Sequence, residues 1–161
     1  MTMYLDLDWD FHVCSRNLDL KPDSNNAFWQ VADRYQVGHR IIDNGLIGYA
    51  IQGELCGTGI QGNRYGINGL DFFVYKVYDV KNGRYLNPDE RLALTEYLGL
   101  KHVPILHRNF KVTMNLQEIL KFVEGKSVLN GCEREGLVFK DESSDLSWKG
   151  ISNKYLLGGG E

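Results

Sequence analysis

Gly53-Glu54-Leu55-Cys56-Gly57-Thr58-Gly59-Ile60-Gln61-Gly62-Asn63 is the stretch on which the reading of this chain turns. Its first residues end a strand-like run, Tyr49 to Leu55, entered through the punctuation of Asn44-Gly45 and Gly48. The glycines that follow break that run into a loop and allow close backbone approach. A strong strand, Asp71 to Val80, comes next. Within the first run, Gln52 and Glu54 share one strand face by the period of two.

Working outward, Thr2 to Leu7 reads as a strand, because Met3, Leu5 and Leu7 alternate with Thr2, Tyr4 and Asp6. Asp8-Trp9-Asp10 is a turn, and Phe11 to Ser15 completes a hairpin. Pro22-Asp23-Ser24-Asn25-Asn26 breaks the chain. Phe28, Val31, Ala32 and Tyr35 then fall at i, i+3, i+4 and i+7, the stripe of an amphipathic helix. Asn82-Gly83 turns the long strand back into Arg84-Tyr85-Leu86. Asn87 with Glu90 and Asn115 with Glu118 are capping boxes; the helices they start stop at Gly99 and Gly125. Gly136 to Lys140 and Ser147 to Ser152 read as two last strands. Strands in hairpin-like pairs with separate helices predict an α+β fold of antiparallel sheets.

The chain has 161 residues and a mass of 18.4 kDa, room for one domain. That domain is expected over 1–157, with 158–161 as a mobile tail. Hydrophobic residues at 43% and aromatics at 12% suffice for a packed core. No apolar run approaches the ~18 residues of a membrane span, and Met1 to Asp6 lacks signal-peptide character, so a cytoplasmic protein is expected. A net charge of −3 excludes a strongly basic nucleic-acid coat but not a local basic groove. Cys14, Cys56 and Cys132 are odd in number and widely spaced; reduced, mostly buried thiols are expected. His12, His39, His102 and His107 make no metal-ligand spacing and no triad. The glycine loop is not a P-loop, since Asn63-Arg64 follows Gly62 where that motif needs Lys and then Ser or Thr.

Four segments carry chemistry together. They are Cys14-Ser15-Arg16-Asn17, the Gln52 to Asn63 stretch, Asp71-Phe72-Phe73-Val74-Tyr75, and Glu135 to Lys140 with Trp148 to Leu156. Taken in this order they resemble the ATP-dependent RNA ligases of the covalent nucleotidyltransferase superfamily. The resemblance runs from about Thr2 to Leu157. Its most specific piece is Gly53-Glu54-Leu55-x-Gly57-x-Gly59-Ile60-Gln61-x-Asn63. Glu135 to Lys140 resembles motif IV, Trp148 onward motif V, and Ser15-Arg16 motif Ia.

The resemblance implies antiparallel sheets flanked by helices, an ATP-grasp-like ligase core. It implies ATP, bound as AMP after attack of a lysine on the α-phosphorus, with Mg²⁺ or Mn²⁺. AMP then passes to a 5′-phosphorylated RNA end, and a 3′-hydroxyl displaces it to seal the strand. In these roles Tyr75 matches the aromatic that stacks on adenine. Glu54 matches the acceptor of the ribose hydroxyls, with Gln52 beside it, and Arg16 suits a phosphate. Glu135 matches the carboxylate that helps hold the cation, often through water. Lys149 matches the lysine that neutralises the α-phosphate.

Three departures stand out. The family's Lys-x-Asp-Gly, motif I, precedes the first strand; no lysine here precedes Lys21, which follows motif Ia. The domain is thus expected to be cut short at its N-terminus and, as this chain alone, unable to form lysyl-AMP. An exposed sheet edge left by such a cut would invite dimerisation. Lys76 follows Tyr75 where the family often has Asp, and Ile151 stands at the second lysine of motif V. Lys154 lies three further on, where a continuing strand would point it the other way. The alternative is a non-catalytic relative that binds nucleotide or RNA, or an interaction domain that keeps the fold.

Overall fold

A computed structural model describes residues 1–141, 143–144 and 146–158 of the chain. Residues 159–161 of the expected tail lie outside the described residues. The chain divides into two compact units: Met1–Asn63 with Ile67–Val103, and Arg64–Gly66 with Pro104–Glu161.

The first unit is a sheet with helices on one face. Its strands are β1 (Thr2–Leu5), β2 (Phe11–Cys14), β3 (Tyr49–Gly57), β4 (Leu70–Asp79), β5 (Arg84–Tyr85) and β6 (Lys101–His102). They run in the order β2-β1-β3-β4-β5, every neighbour antiparallel, as the hairpin pattern predicts. The exception is β6, which pairs parallel to β4. Two residues long, it gives no periodic signal and was not expected.

Met3, Leu5, Val13, Ile51, Leu55, Phe72, Val74 and Val77 lie in one buried core. Helix α1 (Ala27–Arg34) covers it with Trp29, Val31 and Ala32, and α2 (Val37–Asp43) with Val37 and Ile41. Helix α1 starts at an Asn26 cap whose side chain accepts the Phe28 N–H. No sequence pattern marks α2: it has seven residues, a Gly38 inside, and no side-chain cap. Its two buried residues, four apart, hold it to the sheet. Helix α3 (Pro88–Tyr97) has the expected capping box, Asn87 with Glu90, and Glu90 also takes a two-pronged ion pair from Arg84 at 2.7 and 2.8 Å.

Strand β1 ends at Leu5 rather than Leu7 because Asp6 turns the chain. Its carboxylate accepts the N–H groups of Asp8 and Asp10, both at 2.9 Å.

The second unit holds α4 (Leu116–Val123), the antiparallel pair β7 (Gly136–Asp141) and β8 (Leu146–Ile151), and α5 (Asn153–Leu157). Helix α4 has its predicted capping box, Asn115 with Glu118. At its other end the Arg134 guanidinium donates to the carbonyls of Phe122, Val123 and Glu124, closing the orphan acceptors of the last turn. One face of the hairpin packs on α4 through Phe139, stacked 4.0 Å from Trp148, and a run of rings from Phe122 and Phe110. Residues 153–157 form a helix, so Lys154 lies beyond the strand and its direction is set by helical rather than strand geometry. The Ser152 side chain caps that helix, and Lys154 pairs with Glu124 at 3.2 Å.

The Asn87 side chain accepts the N–H groups of Asp89 and Glu90, and that of Asn115 accepts the N–H of Glu118. Asn87→Ala and Asn115→Ala should each cost about 1 kcal/mol, read as a lower urea midpoint at unchanged slope.

Candidate functional site

The geometry of the first unit's site begins at a fault in the β3–β4 ladder. Gln52 pairs with Lys76, but the next residue, Gly53, pairs with Val74. Tyr75 is the additional residue, the mark of a β-bulge. Val74 and Val77 both stay in the core, so Tyr75 and Lys76 both fall on the opposite face. Strand β3 keeps its period of two and puts Gln52 and Glu54 on that face as well.

Gly53 makes the bulge possible. A Cβ there would lie 2.4 Å from the Phe72 ring and 2.6 Å from the Phe73 carbonyl oxygen. No side chain fits, and the two strands close over the gap.

On this face Glu54 is exposed and Tyr75 half-buried. Burial, then the charge of Glu54, raises the Tyr75 phenol above its ordinary pKa, so the ring stays neutral; Arg16 acts in the opposite sense. Glu54, Cys14 and Arg16 also act on the Met1 amine, whose ammonium donates to the Gly53 carbonyl at 3.0 Å. Arg16, Glu54 and Tyr75 therefore share one electrostatic neighbourhood. Gln52 lies in the same row as Thr2 and Cys14 across β1 and β2. Lys76 rests over the Tyr85 ring at 3.5 Å.

Arg16 sits in a turn from Ser15 to Leu18, closed by the Ser15 N–H to the Leu18 carbonyl at 2.9 Å. The thiols are poor nucleophiles: burial pushes Cys14 and Cys56 up to about 11. All three cysteines are free, and they are half-buried rather than fully buried.

In the second unit, Glu135 and Lys149 meet at 2.5 Å, both partly exposed. Lys149 stands opposite Val138, on the hairpin face away from the Phe139–Trp148 stack. Gly136, at φ 157°, lets the chain turn from Glu135 into β7. A Cβ there would lie 1.9 Å from the Gly150 oxygen. The Glu135 carbonyl accepts the Ser152 N–H at 2.8 Å, which fixes the other end of the pair. Glu135 is a hard oxygen donor suited to Mg²⁺ or Mn²⁺. Among the described residues no group of three or more His, Cys, Asp or Glu is placed to hold a metal.

The sequence-derived residues thus form two sets. Arg16, Gln52, Glu54 and Tyr75 are brought together in the first unit, and Glu135 with Lys149 in the second. Sequence reasoning missed the bulge, for which Gly53 two residues from Leu55 is the faint signal. It also missed the engagement of His12 with two carboxylates.

A protein-family model described as RNA ligase matches residues 1–156. No match is found among curated proteins. Among solved structures the chain is similar to the RNA ligase of Naegleria gruberi. A lysine-to-alanine variant of that protein with ATP and Mn is 35% identical at a TM-score of 0.89, covering 98% of this chain and 47% of its own. A lysine-to-methionine variant with AMP and Mn is 36% identical at 0.89, covering 98% and 48%. The same ligase with PPi is 36% identical at 0.88, covering 98% and 47%. The chain spans just under half the length of these ligases. Among the described residues no helix is long and apolar enough to cross a membrane.

The bulge should be sensitive to a single methyl. Gly53→Ala is expected to destabilise the first unit by about 1–3 kcal/mol in urea unfolding. It should also shift the amide resonances of Tyr75 and Lys76 more than those of β1.

Proposed function

The chain belongs to the RNA ligase family, and from that premise we propose that it is a nucleotidyltransferase domain that binds ATP or AMP for the joining of RNA ends. One observation carries the reading: the β3–β4 bulge gathers an aromatic ring, a carboxylate and an amide on one face, with an arginine in the same electrostatic neighbourhood. That set matches the parts of an adenosine phosphate. A half-buried neutral ring can stack on adenine. An exposed carboxylate can accept two ribose hydroxyls, and Gln52 can donate and accept beside it. A guanidinium on a turn can take a phosphate.

In the second unit, Lys149 would neutralise charge on the α-phosphate. Glu135 would hold Mg²⁺ or Mn²⁺ through water. Bound there, the cation would add positive charge against the phosphates. The neighbours solved with ATP, AMP and Mn support nucleotide and metal as ligands, and the family supports RNA with 5′-phosphate and 3′-hydroxyl ends as substrate.

Attack on the α-phosphorus needs a free amine, in line and within roughly 3–3.5 Å. Several amines of these residues are engaged elsewhere. Lys149 pairs with Glu135, Lys154 with Glu124, Lys101 with Asp71 and Lys126 with Glu133. Lys76 covers Tyr85. These contacts turn the amines toward protein partners, and binding without self-adenylylation is the outcome we expect of the 161 residues.

Calorimetry with ATP tests the site. Tyr75→Ala should lose about 1–3 kcal/mol of binding, Tyr75→Phe almost none, and Glu54→Ala should also weaken it. Unchanged affinity in both alanine variants would reject the assignment. Incubation with α-labelled ATP and Mn²⁺, followed by denaturing electrophoresis, should leave the chain unlabelled. A labelled band abolished by changing one of these lysines would show that the chain performs the first step itself.

A further inference from the structure

The face of the first unit's sheet turned away from α1 and α2 carries a second group of rings beside the nucleotide residues. Tyr4 pairs with His12 across β1 and β2, and the two rings stack at 4.6 Å and 9°. Tyr78 pairs with Tyr85 across β4 and β5, and these rings meet edge to face at 4.9 Å and 66°. Ala50 on β3 lies between the two pairs. It is the direct partner of Tyr78, and the β1–β3 register, Thr2 to Gln52 and Met3 to Ile51, carried one step further brings Tyr4 to its other side. All five share one face, because their chain neighbours Met3, Val13, Ile51, Val77 and Leu86 are core residues.

These residues make a slot with two walls and a low floor. His12 backs Tyr4 from the β2 side and Tyr85 backs Tyr78 from the β5 side. The inner side of each wall therefore looks across Ala50, whose side chain ends at Cβ. Neighbouring strands are about 4.8 Å apart, so walls on β1 and β4 stand roughly 10 Å apart. A flat ring in contact with a ring on either side fills roughly 7–8 Å of that. The slot has room for one planar ring. Ala50 and the four rings around it are only half-buried. Among the described residues the hydroxyls of Tyr4, Tyr78 and Tyr85 make no hydrogen bond. A tyrosine committed to a core usually pairs its hydroxyl.

Charge narrows the ligand. The bulge puts Lys76 on this face, with its ammonium 3.5 Å over the Tyr85 ring, so the Tyr78 wall carries a cation. The carboxylates beside the other wall, Asp6 and Asp19, both engage His12. A planar, stacking group joined to a negative charge is a nucleobase with its phosphate. Tyr78 lies three residues beyond Tyr75, roughly 10 Å along β4, so the slot is distinct from the ring proposed for adenine. A base enters such a slot only when it is free of a duplex, which selects a single strand.

We infer that the slot between Tyr4 and Tyr78 binds one base of single-stranded RNA, stacked over Ala50, with Lys76 at an adjoining phosphate. RNA as the occupant rests on the RNA-joining role proposed above; the slot itself does not.

The test uses the full chain and a labelled, 5′-phosphorylated single-stranded oligoribonucleotide, read by fluorescence anisotropy, with ATP calorimetry alongside. Tyr4→Leu and Tyr78→Leu should each weaken RNA binding roughly 5- to 100-fold, the loss of one stacked base. Tyr4→Phe and Tyr78→Phe, which keep the ring, should stay within about 2-fold. Ala50→Val keeps both walls and suits a strand, yet raises the floor, and should weaken RNA as well. Lys76→Gln should flatten the fall of log K with log salt by about 0.7, one single-strand phosphate contact. ATP affinity should not change in the Tyr4, Ala50 and Tyr78 variants. RNA affinity indifferent to the leucine variants, or lost equally in the phenylalanine variants, would overturn the stacking slot. So would ATP affinity that falls together with RNA affinity. A chain that binds ATP through Tyr75 but no RNA would overturn the slot and leave the nucleotide reading in place. RNA binding that depends on the slot, with no ATP binding, would reject the nucleotide reading and uphold the slot.

Discussion

Everything in the first unit is arranged around the closeness of β3 and β4 at Gly53. The Phe72 ring lies against Gly53, in space that any side chain at 53 would need. That contact lets the inner strands draw together and shed one residue of register. The bulge then serves both faces at once. On the core side, Val74 and Val77 remain buried although three positions apart, so the helices α1 and α2 meet an unbroken apolar surface. On the other side, two consecutive residues, Tyr75 and Lys76, point the same way. A regular strand would have sent one of them into the core.

Polar groups tie the edges of this sheet where apolar packing thins out. Asp71 is buried at the start of β4, and burial by itself would push its carboxyl up. Hydrogen bonds from Lys101 and Tyr35 outweigh that and hold it below the usual carboxylate range. Through it α1, β4 and the short parallel β6 are joined at one residue. The stabilisation is present above the ordinary carboxylate pKa and fades as acid protonates the group. In the second unit Arg134 does comparable work on α4 by covering three carbonyls at once.

What the sequence could reveal followed from periodicity and caps. The period-two runs at Met3, Leu5 and at Ile51, Leu55 gave strands, and Asn87 with Glu90 and Asn115 with Glu118 gave helix starts. Features made by tertiary packing were not legible. Helix α2 has no cap and exists because Val37 and Ile41 reach the sheet. Strand β6 is two residues beside β4. Lys154 turns into α5 because Ser152 caps a helix there, a role hidden behind its neighbouring strand. The candidate residues Arg16, Gln52, Glu54, Tyr75, Glu135 and Lys149 came from motif order. The β3–β4 bulge did not, because its mark in the sequence is a single glycine, Gly53, on the facing strand.

The second unit's ion pair has a property that suits a phosphate site. Glu135 and Lys149 are each about two-fifths exposed on their side chains, at 41% and 43%. A pair so open to water contributes about 0–1 kcal/mol. It orients both side chains at little cost to either and is easily exchanged for stronger partners. Under the proposed roles, Lys149 would pair with a phosphate and Glu135 would hold a hydrated cation, so that each negative group would be matched by a positive one. A deeply buried pair could not be exchanged this way, since separating its members would strand a charge in low dielectric. The weak, exposed pair is thus the arrangement that keeps both groups poised without locking them together.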